Sequence, residues 1–292
     1  MRAAPDAPGA GRATAAGCAA LALWAFLAPL TRLAQPVPPL LLTALGLSAG
    51  GLFGLAAVAA RGRLRALRQS PLAWAHGLVG IGGYHALYFA ALGSAPAVEA
   101  NLLNYSWPLL IVLFSGLIGG LRLGPQRLAG VAVGAAGAAL LLAGDARFPA
   151  EAWLGFALAL AAAFVWALYS VLAARLGSVP SEAVAGFCLV SAAAAWLAHL
   201  ALEPPAVLEA RHWVVVALMG LGPTGAAFFL WDHGMKRGDP RLLGTLAYAV
   251  PVASTLLLVA AGEGELSARM LVAAALVSGG GLLAASAGRR RG

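Results

Sequence analysis

Asn101, Asn104, Tyr105 and Pro108 stand at i, i+3, i+4 and i+7, with Trp107 beside them, inside an otherwise apolar stretch. On a continuous helix these positions share one face. Two amides, a phenol and an indole N–H offer hydrogen bonds and flat rings but no nucleophile, so the chemistry they fit is solute recognition and not bond breaking. Pro108 also removes the amide that would bond the carbonyl of Asn104, which leaves a backbone acceptor available to a ligand's ammonium group. A second group, Tyr84, His85 and Tyr88, sets two phenols one turn apart with an imidazole three residues before the second. A third, Trp166, Tyr169 and Ser170, repeats the i, i+3, i+4 spacing, and Phe228, Trp231, Thr245 and Tyr248 follow later. Hydrocarbon penalises such groups, so when deep in apolar segments they face a cavity or pathway. Together with Trp24, these rings could box a flat, partly apolar solute.

The pattern recurs. Tyr248-Ala-Val-Pro251 lies 143 residues after Tyr105-Ser-Trp-Pro108, and Pro240 lies 144 residues after Pro96. Trp24-Ala25 followed by Arg32-Leu33 is likewise echoed by Trp166-Ala167 followed by Arg175-Leu176. These offsets describe an internal duplication, residues 1–143 and 144–292, with Pro108 and Pro251 expected to bend their helices. The second copy carries Gly244, Ala247 and Val250 in place of Asn101, Asn104 and Trp107, so recognition is expected to centre on the first half.

The elements that must hold these residues follow from hydropathy. Hydrophobic residues make up 61% of the 292, charged residues 10%, and the mean hydropathy is +0.86. A spanning helix needs about 20 apolar residues, and ten such stretches are expected at 14–34, 37–60, 71–93, 95–119, 125–143, 152–174, 182–202, 213–231, 242–261 and 267–287. The fold class is therefore an all-α integral membrane protein with ten transmembrane helices as two five-helix repeats. An odd number per repeat inverts the second in the membrane. The segments run continuously apolar, unlike barrel strands, and the first is too long and uncleaved to read as a signal peptide. Glycines four apart, Gly46/Gly50/Gly54, Gly116/Gly120 and Gly130/Gly134, are expected to form close helix contacts.

Fifteen of the 19 basic residues fall in segments that are inside if the N-terminus is inside; only Arg32, Arg147, Arg211 and Arg269 fall outside. This asymmetry places both termini in the cytoplasm and makes the net charge of +8 a topology signal. A nucleic-acid partner needs a basic face on a soluble domain, and none is encoded. The bilayer is the surrounding partner, and the sequence is compatible with a monomer. Cys18 and Cys188 read as packing residues. His76, His199, His212 and His233 sit near span ends, where interfacial water is expected to satisfy them. No metal or cofactor motif occurs, and neither His-Glu-x-x-His nor Gly-x-Ser-x-Gly is present, so an enzyme is not expected. A channel would need rings of charge or carbonyls, and a phosphorylated solute would need deep Lys or Arg.

The two halves resemble repeats of the EamA family of the drug/metabolite transporter superfamily over nearly the whole chain. Ala97-Val-Glu-Ala-Asn-Leu-Leu-Asn-Tyr-Ser-Trp-Pro108 and Gly83-Tyr-His-Ala-Leu-Tyr-Phe89 resemble its bacterial aromatic amino acid exporters more narrowly. The resemblance implies a ten-helix inner-membrane exporter of aromatic amino acids and related compounds, working by alternating access through a central cavity. Tyr84, His85, Tyr88, Tyr105, Trp107 and Trp166 would line it. Span one lacks the carboxylate that carries a proton in smaller relatives, so uncoupled movement is favoured over coupling through His85. Other solutes of the same fold (other amino acids, purines, drugs) are the alternative.

Overall fold

The structure is a computed structural model that describes residues 9–118, 120, 123–142, 148–173 and 179–286. The described residues are helical with short turns, in the order α1 (Ala10–Ala25), α2 (Leu27–Leu33), α3 (Pro39–Ala60), α4 (Pro71–Gly77), α5 (Tyr84–Ser94), α6 (Ala97–Asn104), α7 (Trp107–Leu117), α8 (Pro125–Leu142), α9 (Ala150–Ala173), α10 (Ala183–Leu202), α11 (Ala210–Leu221), α12 (Ala227–Arg237), α13 (Pro240–Leu246), α14 (Val250–Ala260) and α15 (Ala268–Ser286). Proline punctuates the starts: it occupies the first turn of α3, α4 and α7, where its missing N–H is not needed.

Among the described residues, eight helical runs are long and apolar enough to cross a membrane: Ala10–Leu33, Pro39–Ala60, Ala97–Leu117, Pro125–Leu142, Ala152–Ala173, Ala183–Leu202, Ala210–Met235 and Leu242–Ala260. A shorter apolar helix covers Ala268–Ala284. The stretch expected as a span over 71–93 runs helical without a gap as α4, a π-helical turn over Leu78–Gly83, and α5. Its three glycines, Gly80, Gly82 and Gly83, offer no side chains to hold a regular helix. A second π-helical turn, Gly222–Ala226, separates α11 from α12. Outward faces are apolar, as in Leu197 (71% exposed) and Leu200 (74%) on α10; lipid, not water, is the solvent such faces suit.

The chain forms two compact units, Met1–Gly82 with Ser178–Val250, and Gly83–Gly177 with Pro251–Gly292. Each draws on both sides of the expected 143/144 boundary, which itself lies outside the described residues, as do Arg2, Arg122, Arg147, Arg175, Arg289, Arg290, Arg291 and the side chains of Lys236, Arg241 and Thr245.

In the first unit α3 packs on α10 and α11, and α1 packs on α12. The approaches are close because side chains are missing. A Cβ at Gly50 would drive into the Thr224 carbonyl, one at Gly51 into Leu189, and one at Gly234 would come within 2.7 Å of the Gly17 backbone. Glu203, at the end of α10, accepts the Leu40 and Leu41 amides at 2.8 and 3.0 Å and so caps α3. It also meets His199 Nδ1 at 2.8 Å. His212 is 2% exposed and its Nδ1 accepts the Glu209 amide at 3.0 Å, one half of a capping box. His199 and His212 are thus held by protein groups and not by the interfacial water expected of them. Arg211 sits 2.8 Å from Glu209 and, by hydrogen bond and charge, holds that carboxyl below its ordinary value.

In the second unit α9 is the hub for α5, α6 and α7, and α8 lies along α15. A Cβ at Gly130 would come within 2.5 Å of Gly280 and Ala284 backbone atoms, and one at Gly137 within 2.9 Å of the Ala273 carbonyl. Gly130 and Gly134 therefore make the expected close contacts, Gly134 against Leu109. Gly120 does not: its φ of +73° marks a turn, with open space where a Cβ would stand. Gly46 is looser than expected: a Cβ there would meet only the Met219 methyl, at 3.9 Å. Cys18 and Cys188 are free thiols.

Candidate functional site

Span four does not run continuously. Without a Pro108 amide the chain leaves helix after Asn104, Tyr105 adopts φ −70°, ψ 11°, and helix resumes at Trp107. Span nine behaves alike: α13 ends at Leu246, a 3₁₀ turn covers Ala247–Ala249, and α14 opens with Pro251 in its first turn. The i, i+3, i+4, i+7 stripe read off a continuous helix therefore stops at Asn104; Tyr105 and Pro108 are aimed by the break and not by the 100° step.

Within the second unit the break, the start of α5 and the middle of α9 bring one cluster together. Tyr84 stacks on Tyr88 with ring centroids 5.6 Å apart and planes 17° from parallel, and meets Trp166 at 4.9 Å. Trp166 reaches on to Tyr169 at 5.3 Å. His85 lies edge-on to Tyr84 at 5.1 Å and to Phe89 at 5.5 Å. The amides thread between the phenols. Tyr88 donates to Asn101 Oδ1 at 2.5 Å, Asn101 Nδ2 donates to Ser254 Oγ at 3.2 Å, and Asn104 Nδ2 donates to the Tyr84 hydroxyl at 3.1 Å. The Tyr105 hydroxyl faces Ser254 as well. Burial explains the pairing: Asn101 is 0% and Asn104 1% exposed, and an amide removed from water must find partners in protein.

Of the residues expected at the site, Tyr84, His85, Tyr88, Asn101, Asn104, Tyr105, Trp166 and Tyr169 lie in this unit's cluster or its immediate break. Trp107 opens α7, half-buried, with Pro108 buried behind it. Tyr248 belongs to the first unit, half-buried in its 3₁₀ turn. Trp24 belongs there too, donating to the Pro223 carbonyl at 3.1 Å and packing on Phe228 and Trp231 at 6.0 and 5.4 Å. Trp24, Phe228 and Trp231 thus pack together in the first unit, and Tyr84, Tyr88, Trp166 and Tyr169 in the second. Sequence reading missed Ser254 and Phe89. Ser254 sits three residues after Pro251, and only the folded chain shows that Asn101 bonds to it.

Such a cluster can stack a flat solute and hydrogen-bond its polar end, and it holds no nucleophile poised beside a base. Among the described residues no group of three or more His, Cys, Asp or Glu side chains could hold a metal ion. A helical chain with several apolar runs long enough to cross a bilayer and a buried cluster of aromatic and amide side chains is, as a class, a multi-pass membrane protein. The chain belongs to the EamA-like transporter family, whose model matches it twice, over residues 12–143 and 153–286. It is a transporter and not an enzyme. The aromatic amino acid exporter YddG of Ancylobacter novellus is 49% identical over 91% of this chain and 94% of its own length. Proteins of the same name from Salmonella typhimurium and Escherichia coli are 26% and 25% identical, each over 55% of this chain and 57% of their own. A solved structure, titled only as the crystal structure of a protein, matches with a TM-score of 0.75 at 47% identity, covering 96% of this chain and 98% of that one.

Proposed function

We propose that this chain exports aromatic amino acids and related amphipathic metabolites across the bacterial inner membrane by alternating access. The observation that carries the reading is the buried cluster of Tyr84, Tyr88, Trp166 and Tyr169 with Asn101 and Asn104 laced between their hydroxyls. Rings supply faces for an aromatic side chain, and amides and the Asn104 carbonyl supply the polar end. The printed name of the 49% identical relative points the same way.

The same reading takes the chain as ten spans in two inverted repeats, 1–143 and 144–292, with both termini cytoplasmic. Supporting it are the two family matches, the π turns that begin 144 residues apart at Leu78 and Gly222, and the helix breaks at both Tyr-x-x-Pro sites. His85, Tyr105, Trp107 and Tyr248 complete the recognition set, and Pro108 and Pro251 let the two helices bend. Movement is down the solute's own gradient.

Proteoliposomes loaded with one amino acid at a time test the reading. Trp, Phe and Tyr should leave faster than Thr, Leu and Lys, and absence of flux for all three aromatic amino acids would sink it.

A further inference from the structure

The two asparagines of the cluster differ in one respect. Both polar atoms of Asn101 are engaged: Oδ1 accepts from Tyr88 and Nδ2 donates to Ser254. Asn104 gives its Nδ2 to the Tyr84 hydroxyl, but its Oδ1, equally buried, has no hydrogen-bond partner. Natural cores rarely leave such an atom alone, and each instance needs an explanation. The same residue's backbone carbonyl stands four before Pro108, which has no N–H to offer it. Two acceptors thus gather on Asn104. Turning the amide over would hand Oδ1 to Tyr84 and leave the NH₂ group open instead, but the backbone carbonyl remains an acceptor in either setting. What complements it is a group rich in donors and free of acceptors, and a primary ammonium is the group of that description.

We propose that Asn104 selects for a primary ammonium group on the transported solute, making it the residue that separates amino acids from flat aromatic acids lacking nitrogen at that carbon. This rests on the export of aromatic amino acids proposed above. The Oδ1 is closed off in the present arrangement, and the ammonium reaches it when the Tyr84 and Trp166 rings, which are in contact, part to admit the solute. The indole or phenyl then takes the place between rings while the ammonium fills the valence that the closed cluster leaves open.

The test is competition against labelled L-tryptophan in proteoliposomes, with unlabelled L-tryptophan and 3-indolepropionate, the analogue that lacks only the ammonium. In the wild-type protein tryptophan should compete at concentrations at least about tenfold lower, the scale of one charge-assisted hydrogen bond. Asn104→Leu removes the side-chain acceptor and keeps the backbone carbonyl, so it should raise the tryptophan requirement by up to about tenfold, leave that of 3-indolepropionate in place and shrink the ratio. Asn104→Asp keeps acceptors at the position and should keep the ratio at or above the wild-type value, which serves if the Leu variant does not fold. Equal shifts for both competitors in Asn104→Leu, no shift for either, or lost discrimination in Asn104→Asp overturn the assignment. Wild-type flux of tryptophan without discrimination overturns Asn104 alone, whereas no tryptophan flux at all overturns the export reading and the assignment with it.

Discussion

Removing the Ser254 hydroxyl should cost more than a serine usually does. Asn101 is 0% exposed, and its Nδ2 donates to Ser254 at 3.2 Å while its Oδ1 accepts from Tyr88 at 2.5 Å. In Ser254→Ala the Nδ2 keeps its burial and loses its partner, a penalty of about 1–3 kcal/mol. Tyr88→Phe strands the other end of the same amide for a similar cost. Because both changes act on one side chain they should not add, and a double-mutant cycle should show a coupling of about 0.5–3 kcal/mol. Ser278 is the internal control: it is also buried in the second unit, at 9% exposed against 0% for Ser254, but its hydroxyl has no hydrogen-bond partner, so Ser278→Ala should stay within about 0.5 kcal/mol of the wild type. Titration of the purified protein with SDS in mixed micelles, followed by the fluorescence of its eight tryptophans, measures all four. A Ser254→Ala variant as stable as Ser278→Ala, or strictly additive costs for Ser254 and Tyr88, would refute the chain of bonds.

Gly50→Val places a side chain against the Thr224 backbone and should destabilise the first unit by about 1–3 kcal/mol, whereas Gly244→Ala, with nothing within 4 Å of the added carbon, should melt like the wild type in a thermal scan. Glu203→Ala uncaps α3 and strands His199, and the same micelle titration should register a loss of about 1–2 kcal/mol. Pro108→Ala restores the missing N–H and lets helix run through Tyr105; tryptophan flux should fall while the protein stays folded, and unchanged flux would remove the break from the transport cycle. With movement uncoupled, an imposed pH gradient should leave tryptophan flux in proteoliposomes unchanged, and acceleration by the gradient would assign a proton to the cycle.

Much of the architecture was legible because bilayers impose a one-dimensional rule: about 20 apolar residues make a span. Eight of the ten expected stretches coincide with long apolar helices to within a few residues at each end. The third runs helical from Pro71 to Ser94 through a π turn, as the eighth does through its own, a local detail that hydropathy does not signal. Site residues were legible as types, since polar and aromatic groups in hydrocarbon stand out, but their partners were not. Asn101 and Asn104 look equivalent on a helical wheel; in the fold one has partners on both polar atoms and the other has an open oxygen.

By itself, then, the chain determined its class, eight of its long apolar helices and the two prolines at which helices break, because hydropathy and proline act locally. Only the tertiary structure decided that the aromatic residues divide between two units, that His199 and His212 serve as structural partners, and that Ser254, 153 residues from Asn101, completes its hydrogen bonding. Those outcomes depend on which buried groups meet, and burial obliges each to find a partner wherever the packing of distant segments supplies one.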